Sequence, residues 1–489
     1  MAVTDTKWKG RIKWFPYCLS LGCSFKYKEP YIISMSYLIV TSRSPISHEK
    51  IGGNETVKKN VGGVVTALSR AMKQDGGTWV CWGDGNLDGR YPEENYDGYR
   101  IVRVFMTSRE RKGFYDDYAN GTLWPLFHYF RDRMKLTSSG MNYYRQINEK
   151  YADAVARNVR TGQRIWIHDY QLALLPKMLR ERGIENQILM TWHIPWVASE
   201  FYATLPEARE LLEGIIASDM ITFHTELYKK NFLESCDSLL GKKDEVEGKL
   251  FTFSLGIDTS YYSGNPANRQ NIELKNNRKL ILSIDRLDYT KGLVNRALAI
   301  ENLVRRYPDD ARKFTYVMIV TPSRTSVAEY INMKRDLEMT VGRINGSYSD
   351  LTWQPILYLY RRVTDRQLMN YYRSANVALI APLIDGLNLV SKEFVAATRN
   401  GVLILSRFAG ASFSLGAALK VNPYDLNEVA DKLHDALHMN ENEIKFRLES
   451  MKENVTKRDI NWWLSEISST ADMLERKLNG SGESIRNTH

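Results

Sequence analysis

Seven residues in this chain are of types that bind phosphate or polarise a sugar: Arg43, Asp169, His193, Arg286, Lys291, Arg324 and Asp385. Each falls where an apolar, strand-like run gives way to polar residues. In doubly wound α/β sheets the strand ends line the binding crevice. One such placement is commonplace, but seven across two halves of a chain point to a cleft that takes a pair of phosphorylated ligands. Arg286 and Lys291 flank the turn residues LDYT, so both side chains can converge on one diphosphate.

The stretch from Ala378 to Ser406, ALIAPLIDGLNLVSKEFVAATRNGVLILS, shows how such a site is built. An apolar run ends at Pro382, Asp385-Gly386 makes a turn, a helical pattern carries Leu389, Phe394 and Val395, and VLIL closes the unit. That pattern reads as strand, tight loop, helix, strand. Backbone N–H groups and the helix dipole make the loop an anion site. Asp385 and Glu393 add carboxylates able to accept sugar hydroxyls. An ordinary βα connection explains the same residues slightly better when this unit is taken alone.

The rest of the chain supplies the elements that position these groups. Residues 1–34 are a basic, aromatic leader without clear period, interrupted by Pro16 and Ser20, and unlike a cleavable signal. SYLIVTSR then reads as a strand ending at Arg43, and Gly62-Gly63 opens a helix before the strand TWVCWGD with Trp82. The segment FYDDYANGTLWPLFHYF, residues 114–130, is dense in aromatics. Tyr115 and Trp124 fit a core or a sugar-stacking wall on composition alone. RIWIHDY carries Asp169 and Tyr170 at its polar end, QILMTW leads to His193, and DMITFH and KLFTFSLGI complete the series.

Periodicity is lost near Gly256-Ile257-Asp258, and RKLILSID starts a second series ending at Arg286. FTYVMIVTPSR repeats the plan with Arg324. The expected class is α/β, with two Rossmann-like doubly wound domains. We divide the chain into the leader, an N-terminal domain over 35–258, a C-terminal domain over 259–456, and a terminal helix and tail over 457–489 that returns to the N-terminal domain.

Composition narrows the function classes. The chain has 489 residues, more than one core usually supports, with 43% hydrophobic and 25% charged residues. Its net charge of +10 is scattered among acids, without the basic block of a nucleic-acid tail. Neither nucleic acid nor membrane is an expected partner, and the sequence leaves a homo-oligomer open. Cys18, Cys23, Cys81 and Cys236 make no disulfide framework, and no CxxC or Cys/His cluster has zinc spacing. No apolar run is long enough to cross a bilayer. A reducing cytoplasm, with no metal and no cofactor, fits these features.

Taken together, the motifs closely resemble those of the trehalose-6-phosphate synthase family of retaining glycosyltransferases. The matching blocks are GGVVTAL, GGTWVCW, NGTLWPLFHY, HDYQLALLPKMLRE, HIPW with SEFYATLP, ITFHT, DRLDYTKGL, TPSR, GRING, and DGLNLVSKEFVAA with GVLILSRFAGA. They run in the family's order from about Met35 to about Trp463. Glucosylglycerol-phosphate synthases share the architecture and are the alternative, with glycerol 3-phosphate as acceptor. Catalytically silent relatives that sense sugar phosphates are another.

The resemblance implies two Rossmann-like domains facing each other across a cleft, the GT-B architecture. It implies transfer of glucose from a nucleoside diphosphate glucose, typically the uridine form, to glucose 6-phosphate. Arg286 and Lys291 would clamp the donor diphosphate, backbone groups of Gly386, Leu387, Asn388 and Leu389 would complete the cradle, and Glu393 would hold the ribose. His193 and Asp385 would face the transferred glucose, with Trp82 and Gly62-Gly63 nearby. Arg43, Tyr115, Trp124, Asp169, Tyr170 and Arg324 fall on acceptor positions. Retention is usually ascribed to attack of the acceptor hydroxyl on the leaving-group face, without the flanking carboxylate pair of a glycosidase. Simpler readings stand beside these: a solvated helix start for Arg286 and Lys291, a satisfied core histidine for His193, packing for Trp124, and an N-cap for Asp169. The chain departs from the family pattern at Ser42, Trp196 and Leu387, where Asn, Phe and Met are usual.

Overall fold

Buried, β-rich segments such as YLIV, RIWI, ILMT and MITF have apolar residues facing both ways, as parallel strands covered on two faces require. A computed structural model of the chain describes residues 37–486 apart from 61–62, 265–271, 273, 275–276 and 324–327. The leader therefore lies outside the described residues, as do Gly62 and Arg324.

The first half holds an eight-stranded sheet. Its spatial order is Leu250–Thr252, Met220–Phe223, Ile188–Thr191, Arg164–His168, Tyr37–Arg43, Gly77–Trp82, Tyr99–Val104 and Glu93–Tyr96. All pairings are parallel except that of the edge strand Glu93–Tyr96. The second half holds six parallel strands in the order Ile356–Tyr360, Phe314–Thr321, Lys279–Arg286, Val377–Ile380, Val402–Ser406 and Leu419–Val421. The expected strand, loop, helix and strand around Asp385 are present, with the helix spanning Leu389–Ala397.

Strand alternation divides the first core in two. Leu38 and Val40 face Phe114, Tyr118, Phe127 and Trp196, whereas Tyr37 and Ile39 face the other way. There they meet Trp463, Ile467 and Ala471 of the long final helix, Ile460–Arg486. Trp463 is fully buried, its ring 5.3 Å from that of Trp166 and its indole N–H donating to the carbonyl of Phe253 at 3.2 Å.

Two backbone crossings join the halves, and they touch. The Ile460 amide donates to the Ile257 carbonyl at 3.1 Å. A Cβ on Gly256 would collide with the backbone of Asp459. Sequence periodicity does not announce a third feature: residues Lys112–Leu123 wind as a π-helix, a form that recurs at functional sites.

Candidate active site

The cation pair sits on a turn fixed from below. Strand Lys279–Arg286 ends at Arg286, which is exposed and makes no ion pair among the described residues. Asp288 caps the next turn, accepting from the Thr290 amide at 3.1 Å and the Thr290 hydroxyl at 3.0 Å. Gly292 closes it at φ 63°, where a side chain would be strained. Fully buried Arg296 donates to Asp285 and to the Lys291 carbonyl, both at 2.6 Å. A buried guanidinium with two acceptors holds one geometry, so the Lys291 backbone cannot drift.

Lys291 Nζ reaches Asp385 Oδ2 at 2.5 Å. Asp385 also accepts from the Asn388 side-chain amide at 3.1 Å. Burial alone would raise this carboxyl, but Lys291 and Asn388 hold it below its ordinary value. Asn388, at φ 76°, caps helix Leu389–Ala397 by accepting from the Ser391 amide at 3.0 Å. Asparagine tolerates that left-handed backbone better than most residues.

The helix carries two further polar groups. Glu393 is half-buried and accepts from the Tyr372 hydroxyl at 2.8 Å. Burial raises its carboxyl against the hydrogen bonds of Tyr372 and Tyr262. Buried Lys392 donates to Ser254 Oγ at 3.0 Å and to the Leu255 carbonyl at 2.7 Å, tying the helix to the first half. Burial, with Arg458 nearby, pulls the Lys392 ammonium down to about 7.

At this junction the two halves approach closely. A Cβ on Gly386 would strike the carbonyl oxygen of His193, and one on Gly63 would strike Leu389. The His193 ring belongs to a chain of three imidazoles, from the ends of three adjacent strands. His168 Nδ1 lies 3.1 Å from His193 Nε2, and His193 Nδ1 lies 3.0 Å from His224 Nε2. His224 Nδ1 lies 3.2 Å from the Phe253 carbonyl. The Leu255 amide donates to the same nitrogen at 3.4 Å. Burial keeps all three neutral, lowering His168 to about 3, His224 to about 4 and His193 well below its ordinary value. Both ring nitrogens of His193 are therefore engaged, and its carbonyl is the group turned to Gly386.

On the opposite side, Arg43 ends its strand in an ion pair with Asp84. Half-buried Tyr115, on the π-helix, lies with its ring 5.6 Å from that of Trp82. Trp124 is buried in the first core, its ring 5.9 Å from that of Tyr170, whose hydroxyl donates to Asn120 at 3.0 Å. Asp169 adopts φ 72° and accepts from the His193 amide at 3.2 Å. Burial pushes its carboxyl up to about 7. Between the π-helix and the second half lies a cleft lined by Asp116, Asn120, Arg133, Tyr289 and Tyr330, bridged by a Lys135–Glu329 ion pair at 2.7 Å.

The described geometry thus brings together Lys291, Asp385, Gly386, Asn388 and Leu389 with His193 and Gly63. Asp169 joins them through the His193 amide, a second group holds Arg43, Trp82 and Tyr115, and a third Trp124 and Tyr170. Sequence reasoning missed His168, His224, Asp84, Arg296, Tyr372 and Lys392. The histidines had a legible signal, since RIWIH, TWH and ITFH all end strands in His.

The family model for glycosyltransferase family 20 matches residues 35–473. The chain belongs to glycosyltransferase family 20. It is 38% identical over 459 residues to the bifunctional trehalose-6-phosphate synthase/phosphatase of Thermoproteus tenax, covering 88% of this chain and 62% of that relative. The chain thus spans less than two thirds of that relative's length. It is 33% identical to the trehalose-6-phosphate synthase of Mycolicibacterium smegmatis, covering 91% of this chain and 94% of the relative. Among solved structures it resembles a UDP-forming alpha,alpha-trehalose-phosphate synthase from Burkholderia xenovorans in complex with glucose-6-phosphate. That match has a TM-score of 0.79 and 28% identity, over 89% of this chain and all of the other. This family 20 chain has the GT-B architecture, two Rossmann-like halves, as its motifs implied. No helix among the described residues is long and apolar enough to cross a membrane.

Proposed function

We propose that this family 20 protein transfers glucose, with retention, from UDP-glucose to glucose 6-phosphate, forming trehalose 6-phosphate. The observation that carries the reading is the junction at Gly386. There the Lys291–Asp385 pair, the N-terminus of helix Leu389–Ala397 and the His193 carbonyl converge from both halves of the chain. A departing nucleoside diphosphate accumulates negative charge, which fixed cations and backbone N–H groups stabilise without reorganising. Arg286 and Lys291 supply the cations, and the amides of Gly386, Leu387, Asn388 and Leu389 supply the cradle. Glu393, oriented by Tyr372, takes the ribose hydroxyls.

Asp385 and the His193 carbonyl face the transferred glucose, with Trp82 and Gly62-Gly63 close by. Arg43, Tyr115, Trp124, Asp169, Tyr170 and Arg324 receive the sugar phosphate. The acceptor hydroxyl then attacks on the face the diphosphate leaves, passing its proton to the leaving phosphate oxygen. We assign residues 35–258 to the acceptor side and 259–456 to the donor side, with the tail from 457 returning to the former. The change of sheet after Thr252 and the Trp463–Trp166 contact support that division. Cys81 and Cys236 are free, buried thiols, which suits the cytoplasm.

The test is direct. Purified protein incubated with UDP-glucose and glucose 6-phosphate should give an α,α-1,1-linked disaccharide phosphate by NMR. Absence of that product, or faster turnover with glycerol 3-phosphate, would overturn the assignment.

A further inference from the structure

At the opposite end of the parallel strands from Arg286, three metal-ligand side chains converge. Asp310 stands in the turn Pro308–Asp310, just before strand Phe314–Thr321 begins. His434 and His438 lie four residues apart on helix Leu426–His438, hence on one face. Asp310 Oδ2 is 2.7 Å from His434 Nδ1, and Asp310 Oδ1 is 2.6 Å from His438 Nε2. The three donor atoms lie within 4.8 Å of one another.

We propose that Asp310, His434 and His438 form a site for a divalent metal of the zinc class. Two imidazoles and one carboxylate are donors suited to zinc, copper or nickel rather than to calcium or magnesium. Only the carboxylate is buried: its side chain is 3% exposed, against 34% and 49% for the histidines. A metal can enter from solvent, and water can complete the coordination. Donors bound to one tetrahedral zinc stand roughly 3.3 Å apart, given metal–ligand bonds of about 2.0–2.1 Å. The imidazoles must therefore move outward by roughly half an ångström. The Tyr307 ring, stacked on His434 at 3.9 Å and 9°, guides that movement along its own plane.

Asp310 itself is held by two backbone bonds, its amide to the Tyr307 carbonyl at 2.9 Å and its carbonyl from the Lys313 amide at 3.0 Å. A metal there would clip the turn before a central strand to the end of a surface helix. A search for cysteine-based zinc spacing passes over this site, because the carboxylate comes from 124 residues upstream of His434.

The test is titration of zinc chloride into the full, untagged chain after chelator treatment, followed by calorimetry. One equivalent should bind, with His438→Ala and His434→Gln each weakening it at least tenfold, a typical minimum for groups that hold a metal site. X-ray absorption should show two imidazole nitrogens on the bound zinc, and zinc should raise the thermal midpoint of the parent chain but not of His438→Ala. No saturable uptake overturns the proposal and leaves a carboxylate–imidazole ion pair. Uptake unchanged in both variants also overturns it, by locating the metal elsewhere.

Discussion

Arg286 and Lys291 show how far residue types alone carry an argument. Their spacing predicts convergence, and the structure adds what spacing cannot: Arg296 pins the Lys291 carbonyl, and Asp385 occupies its ammonium. Removing one preorganised charge donor costs about 3 kcal/mol, on the order of a hundredfold in rate. Arg286→Ala and Lys291→Ala should each slow turnover by that much, while circular dichroism stays unchanged. With both on one diphosphate, as proposed, the double variant should lose less than the two losses combined. Steady-state kinetics on all three proteins checks this.

The imidazole chain yields a second residue-scale expectation. His224→Ala removes the partner of His193 Nδ1, so the ring and the carbonyl beside Gly386 lose their fixed position. Displacements on that scale lower turnover roughly tenfold or more. kcat should fall with little change in the KM for glucose 6-phosphate. In the parent chain, ¹⁵N NMR should report three neutral imidazoles.

At the scale of elements, helix Leu389–Ala397 joins chemistry to architecture. Its first turn stands at the Gly386 junction, and its Lys392 anchors to Ser254 and Leu255 of the other half. That anchor has a pH signature. The folded ammonium value of about 7 lies below the ordinary 10.5, so between those limits the unfolded chain binds a proton that the folded chain lacks. Stability contributed by this group therefore rises with pH from about 7 to about 10.5, and its burial penalty is fully present below 7. Lys392→Met should flatten that rise, and thermal unfolding across pH 7 to 10 in parent and variant measures it. An unchanged slope would assign the dependence to other groups.

Much of this level was legible. Strand, loop and helix around Asp385 follow from two apolar runs and a D-G turn, and parallel pairing follows from strands without polar alternation. The π-helix was not legible, since FYDDYANGTL has no period that distinguishes an i→i+5 ladder from a loop. Nor was the Lys392 anchor, because a lysine inside an amphipathic pattern normally faces water, and only tertiary packing buries it. His168 and His224 each stand in a strand-ending motif, RIWIHDY and DMITFH. Their meeting with His193 depends on which strands are neighbours, and chain order does not state that.

For the whole molecule, the last helix matters as much as either sheet. Trp463 fills space against Trp166, Tyr37 and Ile39 although it follows the entire second half in sequence. Replacing a buried tryptophan with alanine costs about 3–5 kcal/mol through lost burial and an unfilled cavity. Trp463→Ala should lower the urea midpoint accordingly. The largest loss should appear in signals from the first half, such as its tryptophan fluorescence.

The paired crossings at Gly256 and Asp459 bear on motion rather than stability. A body attached to another at one point can swing and twist in any direction. Attached at two points, it keeps chiefly a rotation about the line between them. Here the two attachments touch, with Ile460 bonded to Ile257, so they act as one short axle. Rotation about such an axle moves the far ends of the two sheets most and the crossings least. Opening of the cleft is thereby reduced to nearly a single coordinate. The contacts made across it, at Gly386 and at the Lys135–Glu329 bridge, must engage or release in step.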